Sequence, residues 1–206
     1  CYMFPPYGLA LHTGSRDLGL AISNFQTDRR SQSWDLDRDL SNYLHLYLED
    51  FIKPQTWQDI AFLAVTQGPG SFTSLRIGLV TVRTLAQQLN LPVFSFSSLE
   101  VLAYSQGDKF IESSYLALQM PATRGQVYGA IYQILASGQA PRQILSDRLF
   151  TLEDWQTTLE NLSFNYLLLE TPIHLGNTVT SLLELASFAY KSGKMPLWSE
   201  AVPFYG

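Results

Sequence analysis

The stretch from Ile60 to Thr66 is apolar without a break and is cut off by Gln67-Gly68-Pro69-Gly70-Ser71. A run of strand length with no polar alternation is what a strand covered on both faces requires. The Gly-Pro-Gly sequence forces a sharp turn. Beyond it, residues 73–89 carry apolar side chains at three- and four-residue spacing, which predicts a helix. A buried strand running through a tight turn into a helix is an α/β unit, and it demands further helices on both sides of its sheet.

The rest of the chain supplies them. Tyr7 to Leu11 and Leu18 to Phe25 predict a hairpin about the turn Gly14-Ser15-Arg16-Asp17. Leu36, Leu40, Tyr43, Leu44, Tyr47, Leu48 and Phe51 predict an amphipathic helix, with Asp35 as its N-cap and Pro54 beyond its end. A strand is expected over residues 93–96, then a short helix through Tyr104 capped by Ser97 or Ser98. The second half repeats the theme. Strands are expected over 115–120, 127–135, 144–150 and 166–169. Helices are expected over 152–162, capped by Thr151, and over 178–192, ended by Gly193. The polar stretch Ser105-Gln106-Gly107-Asp108-Lys109 suggests two α/β units, 1–104 and 105–206.

Charge narrows the functions available. The net charge is −5 and the one adjacent basic pair is Arg29-Arg30, so the chain should not bind nucleic acid strongly by itself. Cys1 is the single cysteine, which excludes an internal disulfide and a cysteine-cluster metal site. No apolar run reaches membrane-spanning length. The start, Cys1-Tyr2-Met3-Phe4-Pro5-Pro6, lacks the pattern of a signal peptide. A cytoplasmic protein is the expectation. Charged residues make up only 15% against 13% aromatic. That balance fits either a surface covered by another chain or a densely filled core.

The turn itself, Gly68-Pro69-Gly70-Ser71-Phe72-Thr73-Ser74-Leu75-Arg76-Ile77-Gly78, opens a helix where backbone N–H groups can hold an anion. It is no P-loop, because no lysine is present, and it lacks the Gly-x-Ser-x-Gly of a nucleophile elbow. On chemistry alone it is a tight turn with a capped helix, Gly78 permitting close packing.

This run resembles the Gly-Pro-Gly-Ser-Phe-Thr-Gly-(Leu/Val)-Arg-Ile-Gly signature of the TsaB (YeaZ) family, with Ser74 in place of the glycine. The similarity continues through Leu9-Ala10-Leu11-His12-Thr13, the Leu-Pro-Val strand, Ser97-Ser98-Leu99, Arg124-Gly125-Gln126-Val127-Tyr128 and the closing Val202-Pro203-Phe204-Tyr205. It implies an actin/Hsp70-like duplicated fold of two small α/β subdomains with mixed sheets. It also implies a non-catalytic scaffold subunit that holds no cofactor. Its partners would be a catalytic paralogue of the TsaD type and an ATPase of the TsaE type, with a homodimer in isolation. The complex adds a threonylcarbamoyl group to adenosine 37 of tRNAs reading codons that begin with A, and the subunit meets tRNA only through the complex.

Two departures bear on chemistry. His12 stands where the family strand ends in aspartate, and Pro121 and Thr123 replace an Asp-Ala-Arg segment. Neither an imidazole nor a proline can position magnesium and phosphate as acidic strand ends do. The histidines His12, His45 and His174 include no helical pair with ligand spacing. His45 is expected in solvent on the polar side of the first helix. The alternative is a nucleotide-dependent phosphotransferase of the same superfamily. A hydrolase using Ser71 lacks a base.

The resemblance assigns the partner surface to the two helices that flank the turn. The candidates are Leu40, Tyr43, Leu44 and Tyr47 on the first, and Leu75, Arg76, Gly78, Leu79, Val82 and Arg83 on the second. On that reading a charge at Leu79 or Tyr47 breaks assembly and spares the fold. The competing reading makes both helices inner helices of a monomer.

Overall fold

A computed structural model describes residues 6–112 and 114–204. The opening residues through Pro5, with Cys1, and the closing Tyr205 lie outside them. Two sheets organise the described residues. The first holds β1 (Tyr7–His12), β2 (Asp17–Ser23), β3 (Arg29–Asp35), β4 (Ile60–Gly68) and β5 (Val93–Ser97) in the order β3-β2-β1-β4-β5. β1, β2 and β3 are antiparallel neighbours, while β4 and β5 run parallel to β1. The second holds β6 (Tyr115–Pro121), β7 (Val127–Gln133), β8 (Arg142–Phe150) and β9 (Leu167–Glu170) in the order β8-β7-β6-β9, again antiparallel but for β9. The second sheet repeats the strand order of the first without its fifth strand. This is a duplicated, mixed-sheet α/β fold, as the resemblance implies.

Among the described residues, five α-helices cover the sheets: α1 (Leu40–Ile52), α2 (Phe72–Leu89), α3 (Ser98–Ser105), α4 (Leu152–Glu160) and α5 (Val179–Lys191). The period-two alternation of β1 decides which helix goes where. Leu9 and Leu11 point to one face, where α1 and α2 bring Leu40, Leu44, Leu48, Leu79 and Val82 onto them. Ala10 points to the other, with Ala21, Ala64 and Phe62, and these small residues let α5 lie close through Leu182, Leu185 and Ala186. α3 fills the space between the sheets: Val101 joins the α5 core, and Leu99 and Leu102 pack on Leu116 and Leu118 of the second sheet. α4 covers the far face of the second sheet with Trp155 and Leu159.

The structure departs from the sequence expectations in three places. β3 was not anticipated, because Arg29-Arg30-Ser31-Gln32-Ser33-Trp34-Asp35 is a largely exposed edge strand whose polar side chains give no apolar alternation. α1 begins at Leu40 behind a 3-10 turn, Asp37–Asp39, so Asp35 ends β3 rather than capping the helix. α5, expected in the second unit, packs on the first sheet, so the 1–104 and 105–206 division stays a proposal for the folding units. The expected caps at Ser97 and Thr151 are in place: Ser97 Oγ accepts from Leu99 N and Glu100 N, and Thr151 Oγ1 from Asp154 N.

Candidate functional site

The turn after β4 is fastened to the turn after β1. Ser71 N–H donates to Gly14 O at 3.0 Å. A Cβ on Gly70 would collide with that same carbonyl, which is why glycine stands there. Gly78, nearly two turns into α2, faces Thr13, whose Oγ1 occupies the space a Cβ would need. Its smallness therefore serves packing inside the chain and not approach to a partner. Phe204 returns from the C-terminal side. Its N–H donates to Gln67 O at 2.8 Å and its ring meets Tyr128 of β7.

His12 ends β1, buried at 0% exposure. Its Nδ1 accepts from Gly14 N–H at 3.2 Å, so the proton sits on Nε2, which has no partner. Burial pushes the imidazole down to about 4, with the nearby Asp17 opposing weakly. A neutral, enclosed ring cannot do the work of a carboxylate that positions magnesium. Asp17 is the carboxylate of this region. It takes hydrogen bonds from Ser15 Oγ and, at 2.9 Å, from Gly176 N–H, while Leu175 N–H donates to Ser15 Oγ at 2.9 Å. His174 Nδ1 lies 3.5 Å from Asp17. Asp17 is thus engaged in tying the β1–β2 turn to the backbone that leads into α5. Sequence reasoning missed it because its partners lie some 160 positions away. At the matching strand end of the second sheet stands Pro121, exposed. Among the described residues no three His, Cys, Asp or Glu side chains converge on a point. Ser71 Oγ donates to Ser74 Oγ at 3.2 Å, and among the described residues it makes no hydrogen bond to a histidine.

The flanking helices divide the candidate surface residues into two sets. Leu40, Leu44, Leu79 and Val82 are buried in the first core, Leu75 is buried beside Gly68, and Gly78 is buried against Thr13. Their assignment to a partner surface is corrected: the apolar stripe of each helix is spent on the sheet. The opposite faces are exposed. α1 presents Tyr43 and Leu46, and Tyr47 lies half-buried against Trp34 of β3, ring centroids 4.9 Å apart. α2 presents Phe72, Arg76 and Val80 at successive four-residue steps, Val80 being 63% exposed. Arg76 lies over the Phe72 ring and Arg83 over Trp198, at 5.2 and 5.4 Å. His45 is exposed on α1.

Fold and site together define an α/β protein of duplicated topology whose strand-end turn is filled by its own residues. Residues 52–158, just over half the chain, match the family model described as TsaD: tRNA N6-adenosine threonylcarbamoyltransferase. A Bacillus subtilis protein named tRNA threonylcarbamoyladenosine biosynthesis protein TsaB is 37% identical over 103 residues, which are 50% of this chain and 43% of that one. The Escherichia coli protein of the same name is 40% identical over 75 residues, 36% of this chain and 32% of that one. The matched regions thus span less than half the length of these relatives. A Pseudomonas aeruginosa structure, described as an uncharacterized protein with similarity to peptidase YEAZ, superposes with a TM-score of 0.79 at 23% identity. That superposition covers 97% of this chain and 99% of the other. The chain belongs to the threonylcarbamoyladenosine family that the model describes, in its TsaB (YeaZ) group.

Proposed function

We propose that the chain is a non-catalytic scaffold and activator in the bacterial complex that forms N6-threonylcarbamoyladenosine at position 37 of tRNAs reading codons that begin with A. It binds a TsaD-type catalytic paralogue and, with it, a TsaE-type ATPase. It pairs with itself when alone, meets tRNA only through the complex and works in the cytoplasm. The observation that carries this reading is the exposed face of α1 and α2, where Tyr43, Leu46, Phe72, Arg76 and Val80 stand outward and Arg83 lies half-buried over Trp198. Aromatic and arginine side chains are those enriched in buried protein interfaces. Phe72 and Arg76 belong to the same turn–helix run that carries the family signature.

The alternative phosphotransferase finds no support at His12, and no observation favours it. Reconstitution tests the proposal. A TsaD-type paralogue and a TsaE-type ATPase with tRNA, ATP and the threonylcarbamoyl donor should modify adenosine only when this chain is added. The chain alone should modify none. Modification by the chain without the paralogue would overturn the non-catalytic assignment.

A further inference from the structure

Away from the strand-end turn and from the outer face of α1 and α2, a cavity of about 650 Å³ lies between α5, the end of α3 and the loop from β7 to β8. That is the size of a small-molecule site. The α5 side is polar. It brings Thr180, Ser181 and Glu184 to the cavity, with Asn177 just ahead of the helix. Leu102, Ile134, Leu135 and Pro141 add an apolar patch from the side of α3 and the second sheet. Ser181 is only 9% exposed, and among the described residues its hydroxyl makes no hydrogen bond. Hydroxyls on either side of it bond back to a carbonyl three residues earlier, Thr178 to Leu175 O at 2.6 Å and Ser187 to Glu184 O at 2.7 Å. A buried hydroxyl that forgoes such a bond costs free energy unless another group completes it.

Charge decides the kind of ligand. Arg29 is paired with Glu184, His174 Nδ1 lies 3.5 Å from Asp17, and Lys109 follows Asp108 in the chain. Each cation of the cavity wall thus has a carboxylate beside it, and no surplus positive charge is left to hold a phosphate. Tyr104 O–H donates to Glu184 at 2.8 Å, and a carboxylate keeps lone pairs for further donors. We propose that the cavity binds a neutral polyhydroxylated molecule, a free sugar or the ribose end of a nucleoside. Its hydroxyls bond to Ser181, Thr180, Asn177 and Glu184, and a C–H face of its ring lies on Leu102 and Ile134. Such a ring carries donors and acceptors on its edge and apolar C–H groups on its faces, which is the pairing of polar wall and apolar patch seen here. The site stands apart from the partner face and adds a ligand to the scaffold role.

Amide NMR of the full chain, titrated separately with glucose, adenosine and inorganic phosphate, tests the site. Glucose or adenosine should give saturable shifts at residues 177–184 and 102–106. Saturation by glucose marks a sugar site, and saturation by adenosine alone marks a nucleoside site. Ser181→Ala should weaken that binding roughly two- to tenfold, the worth of one hydrogen bond. Its thermal midpoint should stay level or rise, because the change removes an unpaired buried hydroxyl and alanine favours the helix. Asn177→Ala, at an exposed position, should weaken binding and leave the midpoint unchanged. Saturation by phosphate alone, saturation by none of the three, or binding that both variants leave unchanged overturns the proposal. So does a Ser181→Ala chain that melts early, since that assigns the hydroxyl to the fold.

Discussion

Leu79 and Val80 are consecutive residues of α2, about 100° apart around the helix, one buried and one exposed, so replacing each in turn separates core from surface. Leu79 is 2% exposed and packs with Leu9, Leu44 and Val82, whereas Val80 is 63% exposed. Truncating a buried leucine to alanine removes its transfer free energy and leaves a cavity, together about 2–5 kcal/mol. For a chain of this size each kcal/mol moves the thermal midpoint by about 2–4 °C, so Leu79→Ala should melt roughly 6–12 °C early for a loss of about 3 kcal/mol. Val80→Asp changes a side chain already in water and should stay within about 0.5 kcal/mol. In a complex that covers Val80, the same aspartate lies unpaired against the partner, and a loss of about 1.4 kcal/mol is already tenfold in affinity. Differential scanning calorimetry and gel filtration on the same samples read both effects. Val80→Asp should keep its midpoint and lose its assembly, while Leu79→Ala should do the reverse. If Val80→Asp melts early and aggregates, or Leu79→Ala melts with the parent, the division of α2 into a core face and a partner face is refuted.

His12 must charge inside the fold for acid to protonate it. Its folded value of about 4 lies below the ordinary 6.5, so its contribution to stability is complete above 6.5 and is lost as pH falls through about 4. In urea titrations the parent should lose on the order of 3 kcal/mol more than His12→Asn over that window, and equal losses would show the ring to be open to solvent. Gly78→Ala puts a methyl group onto Thr13 Oγ1 and should cost about 1–3 kcal/mol by chemical denaturation, with much of the loss recovered by adding Thr13→Ala. A neutral Gly78→Ala would mean that α2 is free to move away from β1.

The elements that spoke in the sequence were those whose burial is written locally. The apolar run of β4, the Gly-Pro-Gly turn and the four-residue stripes of α1 and α2 each announce themselves within a dozen residues. β3 stayed silent because an edge strand may be polar throughout, its position fixed by pairing with β2. The stripes of α1 and α2 also misled, since periodicity marks a buried face without saying what buries it. Leu40, Leu44, Leu79 and Val82 turned out to face the chain's own sheet; of the residues the sequence offered for the surface, Tyr43 and Arg76 are exposed, and Phe72 and Val80 join them only in the structure. Nothing local signals that α5 would settle on the alanine face of β1 and β4. The ties from Asp17 to Gly176, and from Ser97 and Tyr132 to Asp147, join distant positions and belong to tertiary structure alone.

The most direct measurement for the account as a whole is isothermal titration calorimetry of this chain with a TsaD-type paralogue, run in parallel with Val80→Asp and Arg76→Glu. A saturable one-to-one heat with the parent, lost or weakened at least tenfold in both folded variants, is the predicted result. Absence of binding between two folded proteins, or binding that neither variant changes, would contradict the claim that this chain acts through the outer face of α1 and α2.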